Sequence, residues 1–185
     1  MWTLNGFVLM MLLVLANSQL DYTVHFNSPL YVCPDEVSQA FVDTSEVQLK
    51  WYNATTNMMV GAINYLKGFE QDTTIELVLA KDLGGSYEIM LSHEVCDACA
   101  ELANPYSAYG FYMRRLGFPR DCPFEANKYP IRNLEAYPRN LPIDSDMAGS
   151  YQLTINIKKR ADEDCLPDGM TFIACVTVDL IVEHL

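Results

Sequence analysis

Apolar and polar residues alternate along much of this chain. Val47, Leu49 and Trp51 interleave with Glu46, Gln48 and Lys50. Ile75, Leu77 and Leu79 interleave with Thr74, Glu76 and Val78, and Tyr87, Ile89 and Leu91 with Ser86, Glu88 and Met90. Further on, Tyr151, Leu153, Ile155 and Ile157 alternate with Gln152, Thr154, Asn156 and Lys158. Last, Phe172, Ala174, Val176, Val178 and Leu180 alternate with Thr171, Ile173, Cys175, Thr177 and Asp179. A period of two puts every second side chain on one side of a strand, so each run predicts a strand with one apolar face. Such strands suit antiparallel sheets that are dry on one side. A weaker alternation predicts one more strand over 58–66.

Turn signals separate the runs. Asp82-Leu-Gly-Gly85 predicts a short hairpin, and Asp162 to Gly169 joins the last two strands. The stretch 121–149 carries Pro123, Pro130, Pro138 and Pro142, which predicts an irregular connection with short extended pieces. One helix is expected. Asn104-Pro105 offers a cap followed by a first-turn proline, and Tyr106, Tyr109, Met113 and Leu116 share one helical face, ended by Gly117. The expected fold class is all-β: an antiparallel β-sandwich or β-cup with one short helix and a proline-rich loop.

The amino-terminal residues add a compartment. Met1 to Ser18 holds no charged side chain, and its apolar run Phe7–Ala16 is ten residues long. A bilayer span needs about 20 residues, so the run reads as the core of a signal peptide. Small residues at Ala16 and Ser18 predict cleavage after Ser18, leaving 19–185 as a single domain and the protein as exported, to the extracellular space or the lysosome. All six cysteines (Cys33, Cys96, Cys99, Cys122, Cys165 and Cys175) follow that point. An even count in an exported chain predicts three disulfides, with the pairing left open. Asn53-Ala-Thr55 is a sequon that predicts a glycan on Asn53.

Composition then removes function classes. The 185 residues include 24 acidic and 12 basic side chains, for a net charge of -12, and half of them are apolar. Such a chain can bury a core, so it is no disordered acidic tail. Its charge opposes nucleic-acid binding, which needs a basic footprint. No nucleophile elbow, zinc-protease helix, phosphate loop or dinucleotide fingerprint occurs, so no catalysis, cofactor or metal is expected. His25, His93 and His184 are scattered. Cys96-x-x-Cys99 reads as a redox pair, half a zinc site or two structural half-cystines; the β-rich setting and the absence of a second C-x-x-C favour the last. The acidic clusters Asp35-Glu36, Asp144 with Asp146, and Asp162-Glu163-Asp164 lack calcium-loop spacing. The basic pieces Arg114-Arg115 and Lys158-Lys159-Arg160 offer either a solvated face or contacts to an anionic head group.

The hydrophobic inventory leaves two alternatives. Two greasy sheets close on each other as a filled core, or they splay around an apolar hollow rimmed by Tyr106, Tyr109, Phe111, Tyr112, Met113 and Phe118. The first gives a protein-interaction module with an exposed aromatic patch, the second a carrier of apolar ligands.

Several pieces, in order, resemble the family of the lysosomal ganglioside activator. They are Ile75-Glu-Leu-Val-Leu-Ala-Lys-Asp-Leu-Gly-Gly-Ser-Tyr-Glu-Ile89; Cys122-Pro-Phe124, Tyr129, Leu141-Pro142 and Gly149-Ser-Tyr151; and Phe172-Ile-Ala-Cys175-Val-Thr-Val178. The likeness spans Cys33 to Leu185, and insect secreted chemosensory proteins of the CheA type are similar too. It implies a β-cup with an apolar cavity that lifts a lipid from a membrane surface. The lipid, or another apolar small molecule, is then presented to a glycolipid hydrolase or a chemosensory receptor without chemistry on the carrier. It implies that Leu49, Trp51, Ile75, Leu77, Leu79, Tyr87, Ile89, Leu91, Tyr151, Leu153, Ile155, Ile157, Val176 and Val178 line the cup, gated by Tyr106, Tyr109 and Met113. It also implies the pairs Cys33–Cys175 and Cys99–Cys122, with Cys96 and Cys165 as the remaining pair.

Overall fold

The computed structural model describes residues 22–53, 55–120, 122–136, 147–161, 165 and 169–184. The expected signal peptide at 1–18, Pro138 and Pro142, and the acidic residues Asp144, Asp146 and Asp162 to Asp164 lie outside the described residues. The elements run β1 (Tyr22–Phe26), β2 (Tyr31–Val32), α1 (Glu36–Gln39), β3 (Val42–Asp43), β4 (Gln48–Trp51), β5 (Asn57–Val60) and β6 (Ala62–Tyr65). They continue with β7 (Thr73–Asp82), β8 (Tyr87–Val95), α2 (Ala98–Ala103), α3 (Ala108–Arg115), β9 (Asn127–Pro130), β10 (Leu134–Glu135), β11 (Gly149–Arg160) and β12 (Met170–His184). This is the expected disulfide-bonded, antiparallel all-β fold, with three helices among the described residues rather than one.

One large sheet carries the order β1-β12-β11-β7-β8, with β2 added beside β12. Its register sorts the apolar positions onto one face. Tyr151, Leu153, Ile155 and Ile157 of β11 lie opposite Leu180, Val178, Val176 and Ala174 of β12, and opposite Lys81, Leu79, Leu77 and Ile75 of β7. Val24 and Phe26 of β1 continue the same face. The opposite face is polar: Lys158 bridges Glu76 at 2.9 Å and Glu94 at 3.7 Å, and Asn156 donates to Glu76 at 3.0 Å. Tyr31 and Gln152 donate to Asp179 on that face at 3.2 and 3.3 Å.

Two small sheets, β10-β5-β4 and β3-β6-β9, provide further walls. The run 58–66 was expected as one strand, but Gly61 divides it into β5 and β6, one in each sheet. Gly61 adopts φ +105°, and a Cβ there would lie 2.0 Å from the Glu46 carbonyl oxygen, so the switch needs glycine. Buried Asn57 stitches a small sheet to the large one: Phe26 N–H donates to its Oδ1 at 3.0 Å, and its Nδ2 donates to the Phe26 carbonyl at 2.6 Å. Met59, Ile63, Tyr65, Phe69, Phe118 and Phe124 join the buried face of the large sheet in one apolar cluster. Three disulfides close the chain on itself: Cys33–Cys175 and Cys99–Cys122, the pairs that the resemblance implies, and Cys96–Cys165, the pair left over, which the resemblance does not imply. Among the described residues, no helix is long and apolar enough to cross a membrane.

Two β-bulges overturn part of the simple alternation. The register shifts between Leu79 and Ala80, so Leu91 pairs with Leu79 whereas Ile89 pairs with Ala80 and Tyr87 with Asp82. Leu91 therefore faces inward, while Ile89 and Tyr87 turn to the outer face, 67% and 54% exposed. They do not line the interior. A second shift, between Ile157 and Lys158, pairs Phe172 with Lys158 and turns it away from Ala174.

The helical expectation also needs correction. Asn104 caps the end of α2 rather than the start of the next helix, and its Oδ1 accepts from Tyr106 N–H at 3.0 Å. Ser107 is the true N-cap of α3, accepting from Gly110 N–H at 2.8 Å. Tyr106 thus sits in the link between the helices, 94% exposed, and not on the helical face expected of it. Gly117 follows the helix at φ +92°, in the expected stopping role.

Candidate functional site

The inner face of β11, β7 and β8 is best followed as cross-strand rows, set by the register. Ile157, Ile75 and Val95 form the first row, and all three are buried. Ile155, Leu77 and His93 form the second; Leu153, Leu79 and Leu91 form the third. Tyr151, Lys81 and Glu88 form the fourth, at the hairpin end. Cover is uneven. In the second and third rows Ile155, Leu77 and Leu153 are only half-buried, and Leu91 is 40% exposed. The neighbouring β12 residues Val176 and Val178 are buried throughout. The middle of the apolar face is thus incompletely closed, and the gap widens toward the β8 edge.

The paired helices α2 and α3 reach over that edge. Ala98 and Leu102 bury α2, and Met113 buries α3. The two helices approach closely at Gly110, where a Cβ would fall 2.2 Å from the Glu101 carbonyl oxygen. Arg114 donates from Nη1 to the carbonyls of Leu102 at 3.1 Å and Asn104 at 3.2 Å, capping the end of α2. Ser107 also donates to the Glu101 carboxylate. At the base, Cys99 of α2 is tied to Cys122. From this platform Tyr109 stacks on His93, with ring centroids 4.8 Å apart and planes 11° apart. The stack spans from the helix pair to the second row.

Other expected lining positions fall elsewhere. Leu49 is half-buried opposite Met59 in a small sheet. Trp51 is 54% exposed and lies 5.6 Å from His25, on the side of β1 that turns away from Val24 and Phe26. Ile75, Leu79, Met113, Tyr151, Ile157, Val176 and Val178 are buried within the apolar core cluster. Two surface clefts are also present. One, of about 230 Å³, is lined by Gln71, Asp97, Cys99, Ala100, Ala103, Arg120 and Cys122. The other, of about 530 Å³, is lined by Val32, Gln39, Val42, Asp43, Thr44, Ser45 and Leu66. Neither is lined by the second or third row, where Leu77, Leu153 and Ile155 pack against the core with their edges still exposed.

Electrostatics distinguish the two faces. On the outer face, hydrogen bonding from Lys158 holds the Glu76 carboxyl below its ordinary value, outweighing the burial that would raise it. Inside, burial pushes the Tyr65 phenol well above its usual range. Lys81 is a cation on the inner face, its Nζ 5.7 Å from the Tyr151 ring centroid. Sequence reading passed over Lys81 because it reads as part of a hairpin motif. The signal was its phase, two residues beyond Leu79 on the apolar side.

The expected glycan site, Asn53, is exposed, and its Oδ1 accepts from the N–H groups of Thr55 at 2.9 Å and Thr56 at 2.7 Å. No protein-family model matches this chain, and no curated protein matches it.

Proposed function

We propose that this chain is an exported, non-catalytic carrier in the manner of the ganglioside activator family. It holds an acyl chain or another apolar molecule on the open strip of its cup and presents it to an enzyme or receptor. The observation that carries this reading is the incomplete cover of Leu77, Leu91, Leu153 and Ile155 in the middle of an otherwise buried apolar face. Exposed hydrocarbon in water costs about 25 cal/mol per Å², so a ligand laid across these side chains relieves both its own exposure and theirs. The stacked Tyr109 and His93 form the edge of the strip, and the helix pair that carries Tyr109 is the element that would move as a ligand enters. Three disulfides suit an oxidising compartment and keep such a partly open cup from collapsing.

The test is lipid uptake by the secreted protein. Native mass spectrometry is expected to find a co-purifying lipid, and a fluorescent fatty acyl probe is expected to gain intensity on binding. Leu77→Asp places a charge in the second row and is expected to abolish uptake while leaving the fold intact. A clean apo protein that takes up no probe would sink the reading.

A second reading has its own observation. Leu83, Tyr87, Ile89 and Met90 are all exposed around the β7–β8 hairpin, an apolar patch on a free sheet edge. A secreted interaction module would use it to bind a protein partner. It predicts no lipid uptake, and loss of partner binding in Ile89→Asp.

A further inference from the structure

The basic groups that stand out in the sequence are all engaged within the molecule. Arg114 binds the carbonyls at the end of α2, and Arg115 binds those of Arg132 and Asn133 at 3.2 and 3.1 Å. Lys158 pairs with Glu76 and Glu94, and Lys159 with Glu70 and Asp72. Arg160 reaches Asp97 at 3.9 Å and the Gln71 carbonyl at 3.2 Å. Lys50, Lys67, Arg120 and Arg132 lie exposed at the surface.

Lys81 is different. It is half-buried, and it points to the inner face beside Leu79. No carboxylate among the described residues pairs with it, although the chain has 24 acidic side chains against 12 basic ones. Glu88 lies opposite it in register but is exposed. The stem of Lys81 runs over Gly149, where a Cβ would come 3.2 Å from its Cε. The face of the Tyr151 ring compensates part of its charge.

A partly desolvated ammonium without a counter-ion is costly, and an anion arriving beside it gains a charge-assisted hydrogen bond. The third and second rows lead away from this ammonium. Their incompletely covered members are Leu153 and Leu91, which flank the buried Leu79, then Ile155 and Leu77, and the second row lies about 14 Å along β7 from the fourth. One end of the strip is cationic and the rest is hydrocarbon.

We propose that the ligand of this strip is a single-chain fatty acid. Its carboxylate pairs with Lys81 Nζ, and its hydrocarbon lies along the third and second rows toward the His93–Tyr109 stack. This rests on the carrier reading and narrows it to an anionic amphiphile. A neutral glycolipid or alcohol head group would leave the ammonium without its counter-charge.

The test compares dodecanoate with dodecan-1-ol, which has the same chain and no charge, by isothermal titration on the secreted protein at a pH where the acid is ionised. For the wild-type protein the acid is expected to bind about tenfold tighter than the alcohol. Lys81→Met is expected to bring the acid down to the affinity of the alcohol, and Lys81→Arg to keep the preference. Unfolding curves check that both variants fold. Equal binding of acid and alcohol by the wild type, or a preference that survives Lys81→Met, overturns the head-group assignment and leaves the carrier standing. Binding of neither ligand overturns the carrier reading and this inference with it.

Discussion

Leu77 and Glu76 are neighbours in the chain, and they serve opposite faces of the same sheet. Leu77 is half-buried on the inner face, and the expected loss of acyl-probe uptake in Leu77→Asp reads that face directly. Glu76 accepts from Lys158, Asn156 and Ser92 on the outer face, and these bonds lower its carboxyl below the ordinary value. A carboxyl lowered by folding adds stability that is complete above the unfolded value of about 4.3. That stability is lost as pH falls through the lowered folded value. Glu76→Gln is therefore expected to lower the melting temperature at neutral pH and to flatten its decline below about pH 5. Melting curves across pH check this, and an unchanged acid limb would show that the outer-face cluster contributes nothing. Single positions were also where sequence reading was weakest. Lys81 and Leu79 have the same phase on β7, yet alternation counts a lysine as polar and so hides its place on the apolar side.

At the scale of elements, the strands were legible because a period of two is a local property. The long strands β7, β11 and β12 extend the expected runs at both ends. What the pattern could not reveal was a single extra residue. Tyr87, Ile89 and Leu91 keep perfect alternation in the sequence, but the shift beside Leu79 divides them between two faces. The helices failed for a related reason. Asn104 and Ser107 are both good caps, and α2, six residues long, is too short to show a period, so the cap at its end was read as the cap of the next helix. The helix pair also gives an element-scale prediction. Gly110→Ala inserts a methyl 2.2 Å from the Glu101 carbonyl, which forces α3 away from α2. It is expected to cost about 1–3 kcal/mol in chemical denaturation. It should also separate Tyr109 from His93, visible as a shift of the His93 ring protons. A normal His93 signal in a fully stable variant would mean that the two helices are not rigidly coupled.

For the whole molecule, the fold class could be read from strand periodicity, but how completely the apolar faces cover one another could not. Whether two apolar faces meet depends on where Gly61 redirects the chain from one small sheet to the other and on how far α3 leans over β8. Neither is encoded in a local pattern. The disulfides act at this scale. Cys33–Cys175 spans 142 positions, and Cys96–Cys165 spans 69, tying the end of β8 to the connection between β11 and β12. Removing one native bridge is expected to cost about 2–5 kcal/mol. Full reduction should therefore lower the melting temperature steeply, and an unchanged melt would contradict a structural role for the bridges.

The bulge beside Met90 has one more consequence. β8 is the outermost strand of the large sheet, and a flat, greasy border of that kind invites other copies to stack on it. The extra residue kinks that border and distributes its side chains between both sides. Deleting Met90 would straighten the strand and swing Tyr87 and Ile89 into phase with Leu91. The shortened protein should then form fibrils that bind thioflavin, whereas the parent stays dispersed. In this view the irregular residue acts as a gatekeeper against self-polymerisation, in a molecule that leaves Leu83, Tyr87, Ile89 and Met90 exposed to water beside that border.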